Sequence, residues 1–141
     1  MSETVTDISK PLEDIKTTFE TLTDQIGKLR TQIVKQQKEI RELKKAKKLH
    51  DMGMEKEAYA TLAYAIRFYY ANRMGINKEL TNSELIRAFK ARENEYSKRF
   101  ISEVKRNLDK CSLVEFARYK PRKYEFNRLL EWAICLLKGK R

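Results

Sequence analysis

Along the first fifty residues, apolar side chains fall at Val5, Ile8, Leu12, Ile15, Phe19, Leu22, Ile26, Leu29, Ile33, Ile40 and Leu43, in steps that alternate three and four. Gln36 holds the one missing place, between Ile33 and Ile40. A period of about 3.5 residues is the seam of a left-handed coiled coil. The register puts Val5, Leu12, Phe19, Ile26, Ile33 and Ile40 at a, and Ile8, Ile15, Leu22, Leu29, Gln36 and Leu43 at d. Ile at a with Leu at d favours a parallel two-stranded coil. In such a pair Glu39 at g faces Lys44 at e of the partner, and a polar Gln36 in the seam fixes register at some expense in stability. Pro11 suits the first turn of a helix, so the regular coil is expected to begin near residues 10–12. Gly27 sits at b, outside the seam, and weakens the helix by about 1 kcal/mol. The competing arrangement is an antiparallel hairpin in which this segment folds back on later helices of its own chain. The narrow stripe favours self-association instead.

Asp51, Met52 and Gly53 interrupt the heptads, which divides the chain into a coiled-coil segment, residues 1–50, and a helical module, residues 54–141. In the module the stripes are wider. A helix is expected from about Met54 to Arg73, with Ala58, Leu62, Ala65, Ile66 and Tyr69 inward, widened by Tyr59, Ala63 and Tyr70, and ended by Gly75. Thr81 to Glu84 reads as a capping box. It opens a short helix with Leu85, Ile86 and Phe89 inward. Asn94 is the expected cap of the next helix, where Tyr96, Phe100, Ile101, Val104, Leu108 and Cys111 repeat at helical spacing. After Pro121 a last helix turns Phe126, Leu129, Leu130, Ala133, Ile134 and Leu137 inward, with Trp132 and Leu136 to one side. Trp132 reads either as a core residue or as a ridge for a partner. No strand pattern is evident. The fold class is therefore all-α, a long N-terminal coiled-coil helix followed by a bundle of about four helices.

Three segments carry a resemblance: LTNSELIRAF (80–89), LDKCSLVEFARYKP (108–121) and RLLEWAICLL (128–137). In their order and spacing they resemble the small helical domain near the C-terminus of transglutaminase-like membrane proteins. The C-terminal module of Bat-type aerotolerance proteins is similar. The likeness spans roughly residues 54–138, and its most specific piece is CSLVEFARYKP. It implies a helical module and brings no catalytic residues with it. That module commonly follows a membrane helix; here it follows the heptad segment.

Charge changes the picture more than composition does. The formal net charge is +11 and the pI about 9.7. A protein this basic is drawn to nucleic acid, anionic membrane or acidic protein, although a charge run is often only a solvated face. The heptad segment ends in a basic collar, Lys44, Lys45, Lys47 and Lys48. A second basic run, interleaved with aromatics, surrounds Pro121: Arg118, Tyr119, Lys120, Arg122, Lys123 and Tyr124. Its tyrosines are candidates for stacking on bases while the cations meet phosphates. The alternative places Tyr119 in the core and the cations in water.

Catalytic signals are missing. His50 is the one histidine, expected to be exposed and incidental, and no metal set forms around it. Ser97, Ser102 and Ser112 have no evident base, and no phosphate-binding glycine loop occurs. Cys111 and Cys135 are expected as buried thiols, with a facing arrangement across two packed helices, and a disulfide, left as options. No cofactor or small-molecule substrate is expected. The N-terminus has no secretory pattern and no apolar run spans a membrane, which points to the cytoplasm. The expected function is non-enzymatic assembly or adaptor work through the coiled coil, as a parallel dimer or with a partner protein. The alternative is binding to nucleic acid, or to a complex that handles it, through the basic surface.

Overall fold

Both the heptad pattern and the wider stripes become helix. A computed structural model describes residues 2–139, with side chains from residue 10 onward. Among the described residues it holds helices and no strand: α1 Ser2–Asp51, α2 Glu55–Arg73, α3 Asn82–Lys90, α4 Lys98–Phe116 and α5 Lys123–Leu137. Pro11 lies inside α1 and not in its first turn. The side chains of Val5 and Ile8, and the tail residues Lys140 and Arg141, fall outside the described residues.

The chain divides between Gln36 and Gln37 into two compact units. The turn expected at Asp51–Gly53 is present, with Gly53 at φ +80°, but the division by packing falls earlier, within α1. The reason is visible in the residues that α1 buries. Glu39, Leu43, Ala46 and His50 recur at helical spacing and are all buried. This face uses the g and d positions, whereas Ile40 at a stays exposed. Two expectations are corrected here. Leu43 belongs to the core of its own chain and not to a free seam. Glu39 is buried beside α2, where the Asn72 amide donates to its carboxylate at 3.5 Å, so it is not a surface residue awaiting Lys44 of a partner. Lys38 lies over the Phe68 ring at 4.4 Å.

Within the second unit α2 is the central helix and packs against α3, α4 and α5. Ala58, Ala63, Ala65 and Ala71 let neighbours approach it on several sides, while Tyr59, Leu62, Ile66, Tyr69 and Tyr70 fill the space between. Gly75, at φ +70°, ends it in the left-handed conformation that glycine tolerates best.

Two aromatic groups tie the helices together. Tyr70 of α2, Phe89 of α3, and Tyr96 and Phe100 at the start of α4 form edge-to-face and tilted pairs, with ring centroids 4.7 Å apart for Phe89 and Tyr96 and 5.0 Å for Tyr70 and Phe89. Such pairs contribute about 0.5–1.5 kcal/mol each beyond burial. The other group joins α1, α2 and α5. His50 stacks on Phe126 at 4.1 Å, and Phe126 meets Tyr59 edge-on at 5.3 Å. His50 is therefore a buried packing residue, which corrects the expectation that it is exposed. Its spacing of seven from Leu43 and four from Ala46 continues the buried face of α1.

The helix starts follow the sequence closely. Thr81 Oγ1 accepts from the Glu84 N–H at 3.2 Å, and the Thr81 N–H donates to Glu84 Oε1 at 3.0 Å, a complete capping box. For α4 the cap is Ser97, whose Oγ accepts from the Phe100 N–H at 3.1 Å, and not Asn94. Burial of Tyr96 in the aromatic group fixes where the chain enters the helix, and Ser97 is the residue that follows it.

Candidate functional site

Two surfaces follow from this fold, one in each unit. In the first unit, Leu12, Ile15, Phe19, Leu22, Ile26, Leu29 and Ile33 are all exposed, from 50% at Ile26 to 71% at Phe19. Gln36 is exposed as well. These are the seam positions read from the heptads, standing in one stripe of α1 without cover from their own unit. An exposed apolar stripe of this length exceeds what a soluble surface ordinarily carries.

In the second unit the basic runs lie at the surface. Lys44, Lys45, Lys47 and Lys48 are exposed, as are Arg118, Tyr119, Lys120, Arg122, Lys123 and Tyr124. The stack of His50 on Phe126 brings the end of α1 against the start of α5. Lys47, Lys48 and Lys123 each lie within about one helical turn of that ring pair along their own helices.

The loop between α4 and α5 has a defined geometry. Pro121 is buried and anchors it. Arg118 takes a left-handed backbone conformation, φ 54°. A side chain there is disfavoured by about 1–2 kcal/mol relative to the right-handed form. The Tyr119 N–H then reaches back to the Leu113 carbonyl at 3.2 Å, which closes α4. Tyr119 does not enter the core. Its hydroxyl donates to the Glu125 carboxylate at 3.1 Å, and this bond to an anion raises its pKa. Glu125 also accepts the Arg122 N–H at 2.7 Å, at the start of α5.

A feature that the sequence reading missed lies beside this loop. Glu103, Arg106, Asn107 and Lys110 of α4 line a groove of about 370 Å³ with Tyr124, Glu125, Arg128, Leu129 and Trp132 of α5. Tyr124 is the one residue it shares with the expected basic surface. Trp132 is half-buried at its wall, and its indole N–H donates to Glu103 Oε1 at 2.7 Å. The Arg128 guanidinium sits 5.2 Å from the Tyr124 ring centroid. The sequence signal was present as Arg106 and Lys110 at a spacing of four on α4 and Tyr124, Arg128 and Trp132 at the same spacing on α5, but only packing shows that the two stripes line one groove.

A part-buried polar network links three helices. Arg67 Nη1 donates to Asn82 Oδ1 at 2.7 Å, and Asn82 Nδ2 donates to Ser112 Oγ at 3.1 Å, which ties α2, α3 and α4 together. Burial raises the pKa of the nearby Glu115 and pushes the Cys111 thiol up to about 12. Cys111 is buried, Cys135 is exposed, and both are free, so the expectation of two buried thiols is corrected. They sit on opposite sides of the distinction between core and surface, which their similar sequence settings do not reveal. Among the described residues, no group of three or more His, Cys, Asp or Glu side chains is placed to hold a metal ion. No helix of the described chain is long and apolar enough to cross a membrane.

No family model, curated protein or solved structure matches the chain. Fold and surface define the class of an all-α helical-bundle protein with a long N-terminal helix.

Proposed function

We propose that the chain is a non-enzymatic assembly protein that pairs through α1 with a second copy of itself, in parallel, and displays the basic surface of its bundle to a further partner. One observation carries this reading: the seven large apolar side chains from Leu12 to Ile33 stand exposed in heptad register. Covering each is worth about 1.5–3 kcal/mol, which gives a strong drive to associate. A parallel pair also meets no charge conflict along this stretch. Its g positions Thr18, Gln25 and Gln32 are uncharged opposite the e residues Thr23, Arg30 and Gln37 of the other copy. Because Glu39 and Leu43 are engaged within their own chain, the pairing seam ends near Gln36.

Multi-angle light scattering tests the reading. The native chain is expected at twice its 16.8 kDa mass. The double variant Ile26→Asp, Ile33→Asp is expected at the single-chain mass with its bundle still folded. A native chain that is monomeric at tens of micromolar, or a double variant that stays dimeric, defeats the proposal.

The alternative, a nucleic-acid-associated protein, is favoured by a separate observation. Tyr119 and Tyr124 are exposed among four exposed cations that run from the anchored loop into the start of α5. Binding of the whole protein to oligonucleotides across a salt series tests it, since phosphate contacts give a steep loss of affinity with salt. The resemblance of residues 54–138 to the module in transglutaminase-like membrane proteins fits either reading.

A further inference from the structure

We propose that the groove between α4 and α5 is a binding site for a single-stranded polynucleotide, with phosphates on Arg106, Lys110 and Arg128 and a base stacked at Tyr124. The proposal rests on the nucleic-acid alternative and gives it a site.

Three features of the groove support it. The first is register. Arg106 and Lys110 recur at four on α4, and Tyr124, Arg128 and Trp132 recur at four on α5, and all of them line the same groove. Four residues of helix rise about 6 Å, an interval comparable to one nucleotide of an extended strand.

The second is electrostatic. The groove contains two carboxylates, and both are already engaged: Glu103 by the Trp132 indole, Glu125 by the Arg122 N–H and the Tyr119 hydroxyl. Those donors are neutral, so both carboxylates keep their charge, and the groove carries three cations against two acids. The ion pairs found among the described residues are Lys78 with Glu84 and Lys105 with Asp109, and neither involves Arg106, Lys110 or Arg128. Three cations against two acids, with no ion pair to any of the three, leave the groove a small positive excess for a phosphate to meet.

The third is the ring and its surroundings. Tyr124 is 49% exposed, with Arg128 over the ring. A base that slides onto such a pair gains both a stacking face and a cation, the combination that sequence-tolerant strand binders use. A volume of about 370 Å³ is on the scale of one nucleotide. Beyond Tyr124 the track continues onto Lys123, Arg122, Lys120 and Arg118, all exposed.

Trp132 is the one tryptophan of the chain and lies at the groove wall, so its emission reports occupancy directly. The whole protein is titrated with oligouridylate, oligothymidylate, a duplex of the same length, and inorganic polyphosphate, a polyanion that cannot stack. Either single strand is expected to bind saturably, change the Trp132 emission and outcompete the duplex. The triple variant Arg106→Ala, Lys110→Ala, Arg128→Ala is expected to bind at least tenfold more weakly. Its log K against log salt slope is expected to flatten by about 2, since three lost contacts contribute about 0.7 each for a single strand. Tyr124→Ala, at an exposed position that leaves folding intact, is expected to weaken oligonucleotide binding about tenfold and leave polyphosphate binding unchanged. Undiminished binding by the triple variant, with silent Trp132 emission, places the strand elsewhere; it overturns the groove site while the broader nucleic-acid reading stands. Absence of binding to every oligonucleotide at low salt overturns both. Polyphosphate binding as tight as the single strands, with Tyr124→Ala without effect, overturns the polynucleotide assignment.

Discussion

Between Leu12 and Ile33 the large apolar side chains of α1 stand exposed, whereas between Glu39 and His50 the same helix is packed into a core. Apolar content does not explain the difference. The exposed stretch offers Leu, Ile and Phe at every seam position; the buried stretch offers Glu39, Leu43, Ala46 and His50. What differs is the regularity of the two faces. The a and d stripe is narrow and regular, which suits an identical helix laid alongside it. The later face is irregular in size and polarity, and it fits particular groups of this chain: Asn72 for Glu39, Phe126 for His50. A regular stripe seeks a regular partner, and a mixed face is specific to its own bundle.

That contrast breaks most visibly if equivalent truncations are made in the two regions. Phe89→Ala removes a fully buried ring from the aromatic group of the bundle. It is expected to destabilise the bundle by about 3–5 kcal/mol, read from urea unfolding followed by far-UV circular dichroism. Phe19→Ala removes a ring that is 71% exposed. It is expected to leave bundle unfolding unchanged within about 0.5 kcal/mol and to weaken association instead. If both variants shift the bundle equally, the two stretches are not independent and the comparison fails.

A smaller effect is expected at the start of α3. Thr81→Ala removes half of the capping box and is expected to lower stability by about 1 kcal/mol. Its partner Glu84 is held down to about 2, first by the side-chain bond from Lys78 and then by the bonds with Thr81, against an ordinary value of 4.5. The folded carboxyl thus binds its proton less readily than the unfolded one. Its contribution is present above pH 4.5 and is lost as the pH falls towards 2. Glu84→Gln is expected to flatten the stability profile across that window and to lower stability near neutrality, where the ionised carboxylate otherwise contributes.

The smallest perturbation only reads burial. At pH 8 the exposed Cys135 is expected to react with a thiol reagent in the folded protein, and Cys111 only after unfolding, because burial holds its thiol near 12. Mass spectrometry counts the labels. Rapid native labelling of Cys111 would mean that α4 opens readily, which would remove the rigid wall of the proposed groove.

Much of this molecule was legible in the chain. The heptads of α1, the capping box at Thr81, the stop at Gly75 and the inward stripes of α2 to α5 all rest on local rules of periodicity and capping, which depend on residues a few positions apart. The errors have a common cause. Asn94 and Ser97 are both good caps, and only the burial of Tyr96 decides between them. Cys111 and Cys135 both sit in apolar helical patterns, and only the packing of α4 and α5 separates a core thiol from a surface one.

The sequence by itself determined the helices, their inward stripes and the heptad spacing of the exposed stripe on α1, because each follows from spacing along one chain. Only the tertiary structure decided which stretch of α1 its own bundle covers, that His50 and Glu39 are interior, and that cations of α4 and aromatics of α5 share one groove. Those outcomes depend on contacts between residues far apart in sequence, where complementary shape and desolvation, and not periodicity, choose the partner.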